Sequence, residues 1–486
     1  MHGRRQIAKG AVWRIIEVMG AEFFAFGAFI ISARLLLPAE VGIVAQATLF
    51  IMVGQLMLHQ GLGEALIQAD DVGTAHFSSA FWVNLAVGTT AALALFTLAT
   101  PAATLLSEPQ LAPVLRALAP TLILFSASGI YQAKLRRELR LRGFAMASVS
   151  ASLAGGLMAV TLAWHGYGVW SLVAQQWAYA SISLLVFALS CGWLPQLSIT
   201  WDHVRTLGSF GGLATTSALL QFAMRRLDLL ILGYFVPTVQ IGFFSVANRL
   251  MLSAGMLTYY SVQQIGLPVL SRLAHDPARH RLAINNTLRL LSLICLPTFI
   301  GLAVIADPLI SLALGNRWQG AVAAFQLLST FAIFYALALI SGQILLSAGF
   351  AKLFVQLSAI NVAMFLTGVT LAAPFGIEAA AIAGGVANML ALPAYVVALQ
   401  RKFGFRVLHA LKEQWPIWIA TAAMAVVVLG WSHLMKSQLS EFGLLAGGIL
   451  GGGLTFITIM LFLSYEDVKE IYASFSQRSP FLANGP

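Results

Sequence analysis

Residues 209–235, SFGGLATTSALLQFAMRRLDLLILGYF, and residues 241–264, IGFFSVANRLMLSAGMLTYYSVQQ, are two apolar runs joined through Val236 and Pro237. Each is long enough to cross a bilayer as a helix, which takes about 20 residues. Both nevertheless carry charge: Arg225, Arg226 and Asp228 on the first, Arg249 beside Asn248 on the second. Arg225 lies 12 residues before Pro237 and Arg249 lies 12 after it. At about 1.5 Å of rise per residue the two sit roughly 18 Å from the turn, at one depth inside the membrane. A central arginine costs about 2.5–3.5 kcal/mol on insertion scales, so it must face protein or water. Ser217, Gln221, Arg225 and Asp228 follow helical spacing and form one polar stripe. That stripe reads either as a buried anion site or as a structural Arg225–Asp228 pair.

The rest of the chain is of the same kind. Its 486 residues are 59% hydrophobic and 9% charged, against about 25% charged in soluble domains. Mean hydropathy is +0.85. These values describe an all-α integral membrane protein. Apolar segments near 11–36, 41–67, 77–99, 111–133, 144–164, 169–191, 207–234, 239–264, 286–314, 321–347, 353–373, 377–399, 415–434 and 441–464 give 14 crossings. The first is read as an uncleaved helix, because it is too long for a signal peptide and lacks a small-residue cleavage site.

The net charge of +10 reports topology and not nucleic acid. With the N-terminus placed inside, 19 of the 28 Lys and Arg residues fall on the cytoplasmic side and two, Arg317 and Lys436, on the other. The positive-inside rule then puts both termini in the cytoplasm and the turns at Pro38 and Pro237 outside. The loop AKLRRELRLRG, 133–143, is expected to fix that topology and to meet anionic headgroups.

An internal duplication is visible. LLLPAEVGIVAQA (35–47) resembles YFVPTVQIGFFSVA (234–247), QGLGEAL (60–66) resembles IGLPVLS (265–271), ATPAATLL (99–106) resembles IADPLISL (305–312), and YGVW (167–170) resembles FGIE (375–378). Their common order, with six helices per half, predicts two parallel six-helix repeats related by an axis along the membrane normal. The expected organisation is a first bundle over 1–191, an interfacial linker over 192–206 and a second bundle over 207–399. A basic linker over 400–414, helices 13 and 14 over 415–464 and a cytoplasmic tail over 465–486 follow. The small residues of GLLAGGILGGGL (443–454) suit close helix contact.

Other polar residues have local readings. Arg14 and Glu17 are helical neighbours and are read as a pair. Glu22 lies deeper and is the candidate for ion or proton coupling. Gln55 and His59 are read as packing residues, and Asp70-Asp71 as a solvated loop. Cys191 and Cys295, the only two cysteines, lie in apolar runs and make no disulfide framework or metal site. No Walker A, G-x-S-x-G or HExxH motif is present, and no cofactor, metal or catalytic residue is expected.

The 6+6+2 plan, with ARLLLPAEVGIVA (33–45) and MRRLDLLILGYFVPTVQIGFFSVANRL (224–250), resembles the polysaccharide transporter branch of the MOP exporter superfamily. Within that branch it is similar to Wzx-type lipid-linked oligosaccharide flippases of the colanic-acid-exporter kind. The resemblance implies a MATE-like pair of six-helix bundles around a cavity. It also implies a bacterial inner-membrane protein moving a polyprenyl-pyrophosphate-linked repeat unit to the outer leaflet by alternating access. Membrane lipids, a polysaccharide polymerase and export machinery are the implied partners. Arginine binds pyrophosphate through charge-assisted, bidentate hydrogen bonds. The expected substrate-binding residues are therefore Arg225, Arg249, Arg226, Gln221, Asn248 and Asp228. The alternatives are a cation-coupled multidrug antiporter, working through acids such as Glu22 and Asp228, and a membrane glycan polymerase or transferase.

Overall fold

A computed structural model describes residues 13, 16–60, 62–68, 72–197, 200, 226–273, 276–405 and 412–464. All regular secondary structure among them is helical. Lipid offers the backbone no hydrogen bonds, so a spanning segment must satisfy its own N–H and C=O groups, and a helix does this within one segment. Hydroxyls inside the spans are accommodated in the same way. Thr89 donates to the Leu85 carbonyl at 2.8 Å, and Thr370 to the Leu366 carbonyl at 2.7 Å. Among the described residues 13 helical segments are long and apolar enough to cross a membrane. They fall where the sequence places its crossings, apart from the one expected over 207–234. Residues 226–235 of that crossing are helical, and the remainder lies outside the described residues.

The chain forms two compact units, Met1–Ser245 and Val246–Pro486. This division by packing falls inside the helix Thr238–Leu257, whereas the sequence places the expected boundary between repeats at 192–206. In the first unit small residues let helices approach. A Cβ on Gly156 would stand 2.7 Å from Ala28, and one on Gly155 would stand 3.1 Å from the Gln175 carbonyl. Those contacts seat the helix Leu141–Trp164 against Ala21–Leu35 and Val169–Cys191. In the second unit Tyr259 is fully buried, with Phe299 at 6.0 Å and Tyr335 at 5.6 Å between ring centroids. The glycines of 443–454 do what their pattern predicts. A Cβ on Gly447 would stand 2.3 Å from the Trp431 ring and one on Gly452 2.6 Å from Val428. Trp431 also donates its indole N–H to the Leu444 carbonyl at 3.2 Å.

Backbone angles display the duplication more fully than the sequence does. Ser107 (φ 52°) is matched by Gly315 (φ 93°), Leu139 (φ 53°) by Gly349 (φ 85°), Gly168 (φ 52°) by Gly376 (φ 106°), and Gly192 (φ 62°) by Gly404 (φ 64°). These are eight of the nine described positive-φ residues, in the same order at helix ends in both halves. The halves differ at their prolines. The helix Thr74–Leu105 runs through Pro101, while its counterpart is broken at Ile305 between Pro277–Val304 and Ala306–Leu314.

Two arginines of the basic loop 133–143 reach helix ends, while Arg136, Arg140 and Arg142 stay exposed. Arg137 Nη1 donates to the Leu66 carbonyl at 2.8 Å, and Arg140 Nη1 to the Cys191 carbonyl at 3.0 Å. Both are cations placed at the negative ends of helices, where the dipole and the last unpaired carbonyls favour them. Lys134 pairs with Glu138. The described part of the 192–206 linker runs beside the start of Thr74–Leu105. The Gln196 carbonyl accepts the Trp82 indole N–H at 2.8 Å, and the Gln196 N–H donates to Ser78 Oγ at 3.1 Å.

Candidate functional site

The helix ending at Phe235 and the helix Thr238–Leu257 meet in a tight turn. The Val236 N–H donates to the Leu232 carbonyl at 2.9 Å, and the Gln240 N–H to the Pro237 carbonyl at 2.9 Å. Pro237 fits because it precedes the first helical position, where an N–H would have no partner. Of the predicted site residues, Arg225 and Gln221 lie outside the described residues, as do Arg14, Asp70, Asp71 and the His59 side chain. Arg226 and Asp228 fall in the first compact unit, Asn248 and Arg249 in the second.

Asp228 is 7% exposed, its Oδ1 accepts the Leu229 N–H at 2.8 Å, and the charge of Arg226 acts on it. Arg226 is half-buried. Asn248 is 7% exposed and Arg249 beside it half-buried. Glu22 stands half-buried in the first turn of Ala21–Leu35. It follows a single π-helical turn, Ile16–Gly20, that carries the buried Glu17. No group of three or more His, Cys, Asp or Glu suited to a metal ion occurs among the described residues.

The two proline turns, matched in the sequence as repeats, touch in space within the first unit. A Cβ on Gly42 would stand 2.1 Å from the Thr238 carbonyl oxygen, and one on Gly242 would stand 1.9 Å from the Pro38 carbonyl oxygen. Thr238 donates its hydroxyl to Glu108. One helical turn below Gly42, Gln46 is 1% exposed, its amide nitrogen is 3.0 Å from where a Gly233 Cβ would sit, and neither amide atom has a hydrogen-bond partner. An unsatisfied buried polar group costs about 1–3 kcal/mol. The crossing is therefore both tight and internally taxed.

The first unit also holds a cavity of about 240 Å³ among the helices Pro38–Gln60, Thr121–Arg137 and Val169–Cys191. Gln55, Gln132, Gln176, Tyr179 and Ser183 supply most of its polar wall. Gln55 stands out in the sequence; the other four do not, because helices 4 and 6 bear no charge at these positions and a search for intramembrane charge passes over them. The available signal is the spacing of Gln176, Tyr179 and Ser183 on one face of a single helix.

Comparison with known proteins gives a consistent set of likenesses. Residues 31–323 match the family described as "Polysaccharide biosynthesis protein". The chain is 27% identical over 316 residues to the succinoglycan biosynthesis transport protein ExoT of Rhizobium meliloti (strain 1021); that match covers 65% of this chain and 64% of the relative's length. It is 19% identical over 482 residues to the lipopolysaccharide biosynthesis protein WzxC of Escherichia coli (strain K12), covering 97% of each. A solved structure of the lipid II flippase MurJ, in an inward closed conformation, superposes with a TM-score of 0.79 at 14% identity. That likeness covers 94% of this chain and 99% of the other.

Proposed function

Because the chain belongs to the polysaccharide biosynthesis protein family, we propose that it is a flippase for a lipid-linked oligosaccharide and not an enzyme. In this reading it carries a polyprenyl-pyrophosphate-linked repeat unit from the cytoplasmic to the outer leaflet of a bacterial inner membrane. Both termini are cytoplasmic and the Pro38 and Pro237 turns face out. The observation that carries the reading is charge on both helices of the Pro237 turn, at a depth that the sequence assigns to the membrane: Arg226 with buried Asp228 before it, Arg249 with buried Asn248 after it. Charge at that depth is retained for a polar cargo or its pathway. A pyrophosphate is a dense anion, and guanidinium forks match its oxygens.

Arg225, Arg226 and Arg249 are the proposed pyrophosphate ligands, with Gln221 and Asn248 beside them and Asp228 orienting an arginine. The prenyl tail stays in lipid while the sugars cross between the two repeats by alternating access. Polymerase and export machinery are proposed partners on the outer side. A membrane potential, negative inside, favours outward movement of an anion by about 2.3 kcal/mol per charge per 100 mV, and Glu22 is the proposed coupling acid.

The test is purified protein in liposomes loaded with a fluorescent undecaprenyl-pyrophosphate-linked glycan. Protein-dependent transfer between leaflets, accelerated by an imposed potential, is expected. No transfer above protein-free liposomes, together with export of a cationic dye against a proton or sodium gradient, would replace the reading with drug antiport.

A further inference from the structure

The 240 Å³ cavity of the first unit has no part in the arginine reading, and its chemistry differs from what a pyrophosphate needs. No Lys or Arg lines it. Its polar wall is neutral, and three of its groups are unpaired with protein. Among the described residues the Gln176 amide, the Tyr179 hydroxyl and the Ser183 hydroxyl make no hydrogen bond to protein. Gln132 reaches Ser128 Oγ only at 3.5 Å. In a membrane-embedded bundle such groups need water or a ligand, because lipid supplies neither donor nor acceptor.

We propose that this cavity is a subsite for one neutral sugar of the carried glycan, an inference that rests on the lipid-linked oligosaccharide reading and adds a second, separate contact to it. Each sugar hydroxyl both donates and accepts. Each glutamine amide likewise offers two N–H donors and a carbonyl acceptor, and Tyr and Ser hydroxyls do both. The converging amides and hydroxyls therefore complement a ring of hydroxyls. One wall is apolar: Phe125, stacked obliquely on Tyr179 at 6.3 Å, with Met52. That wall gives the C–H face of a pyranose a dry surface. The cavity, about 240 Å³, has room for a sugar ring. A neutral subsite in the first bundle also gives the protein a means to choose among glycans that all share one pyrophosphate.

The experiment measures binding to purified full-length protein of three probes: undecaprenyl pyrophosphate, undecaprenyl-pyrophosphoryl-glucose and undecaprenyl-pyrophosphoryl-galactose. At least one sugar-bearing probe is expected to bind about tenfold more tightly than the bare lipid, as two net hydrogen bonds would give. Gln176→Leu should erase most of that difference and leave the bare lipid unchanged. Tyr179→Phe, which removes one hydroxyl and keeps the ring, should take away part of it and covers the case in which Gln176→Leu fails to fold. Equal binding of all three probes by the unaltered protein overturns the subsite and leaves the flippase reading standing. The same holds if the variants weaken bare and sugar-bearing lipid alike. Binding of none of the three overturns the flippase reading, and the subsite with it.

Discussion

Replacing Gly242 by alanine tests whether the contact between the two proline turns is a closed joint. The added methyl would sit 1.9 Å from the Pro38 carbonyl oxygen and 2.7 Å from its carbon, where ordinary contact begins at 3.4 Å. The turns must therefore part by about 1.5 Å, the difference between 1.9 and 3.4 Å. The obstructing atoms are backbone, so no side chain can swing aside. Overpacking costs about 1–3 kcal/mol, and the upper half of that range applies here. A penalty of about 2–3 kcal/mol shifts the ratio of closed to parted forms by roughly 30- to 150-fold. The assay is maleimide labelling of a cysteine placed at Gln46, which is 1% exposed beneath the crossing. The native Cys191 and Cys295 are both buried and contribute little background. Labelling in the Gly242→Ala background should be at least about 30-fold faster than in its absence. Gly27→Ala, where a Cβ meets nothing within 4 Å, should change nothing. Equal labelling rates with and without Gly242→Ala, at unchanged melting temperature, would refute the closed-joint reasoning.

Three further outcomes are expected. Gln46→Leu removes two buried amide atoms that have no partner and should stabilise the protein by about 1 kcal/mol, read as a higher melting temperature; a lower one would mean that the amide is satisfied by water. Leu139→Gly should also stabilise by about 1 kcal/mol, since an 78% exposed leucine at φ 53° holds little packing and adopts a conformation that costs side-chain-bearing residues about that much; an unchanged denaturation midpoint would contradict this. Arg249→Gln should abolish export at normal protein level and Arg249→Lys restore it in part, because lysine keeps the charge and loses the fork; full export by Arg249→Gln would remove the residue from the site.

The spans were legible because burial in lipid forces long apolar runs, and those runs are unmistakable at 9% charged residues. The close packing of the last two helices was legible from the glycines at 443–454. Other features leave no local trace. Ser107 and Leu139 take positive φ without the glycine that would announce it, so half of each repeat pair was visible and its partner was not. The first unit's cavity draws Gln132 and Gln176 from separate helices, each inconspicuous in its own segment, to meet Gln55. Glu17 is read from its spacing as a partner for Arg14, which lies outside the described residues, and that spacing gives no hint that it sits buried on a π-helical turn. The predicted arginine cluster remains a statement about sequence depth for Arg225, while Arg226, Asp228, Asn248 and Arg249 all lie on helices flanking one turn.

The reciprocal contact between Gly42 and Gly242 has a consequence for how such a chain arose. Each glycine faces the backbone of the other's proline turn: Gly42 the Thr238 carbonyl, Gly242 the Pro38 carbonyl. Residue i meeting j while the equivalent of j meets the equivalent of i is the signature of an isologous interface, the kind formed by two identical subunits about a twofold axis. A half-length ancestor with one such turn would have needed only one small residue to pair with its own copy. Gene fusion would then carry that contact into a single chain, where the two positions are free to diverge. They have diverged in their flanks, Ala39-Glu40-Val41 against Thr238-Val239-Gln240-Ile241, and not at the glycines that touch.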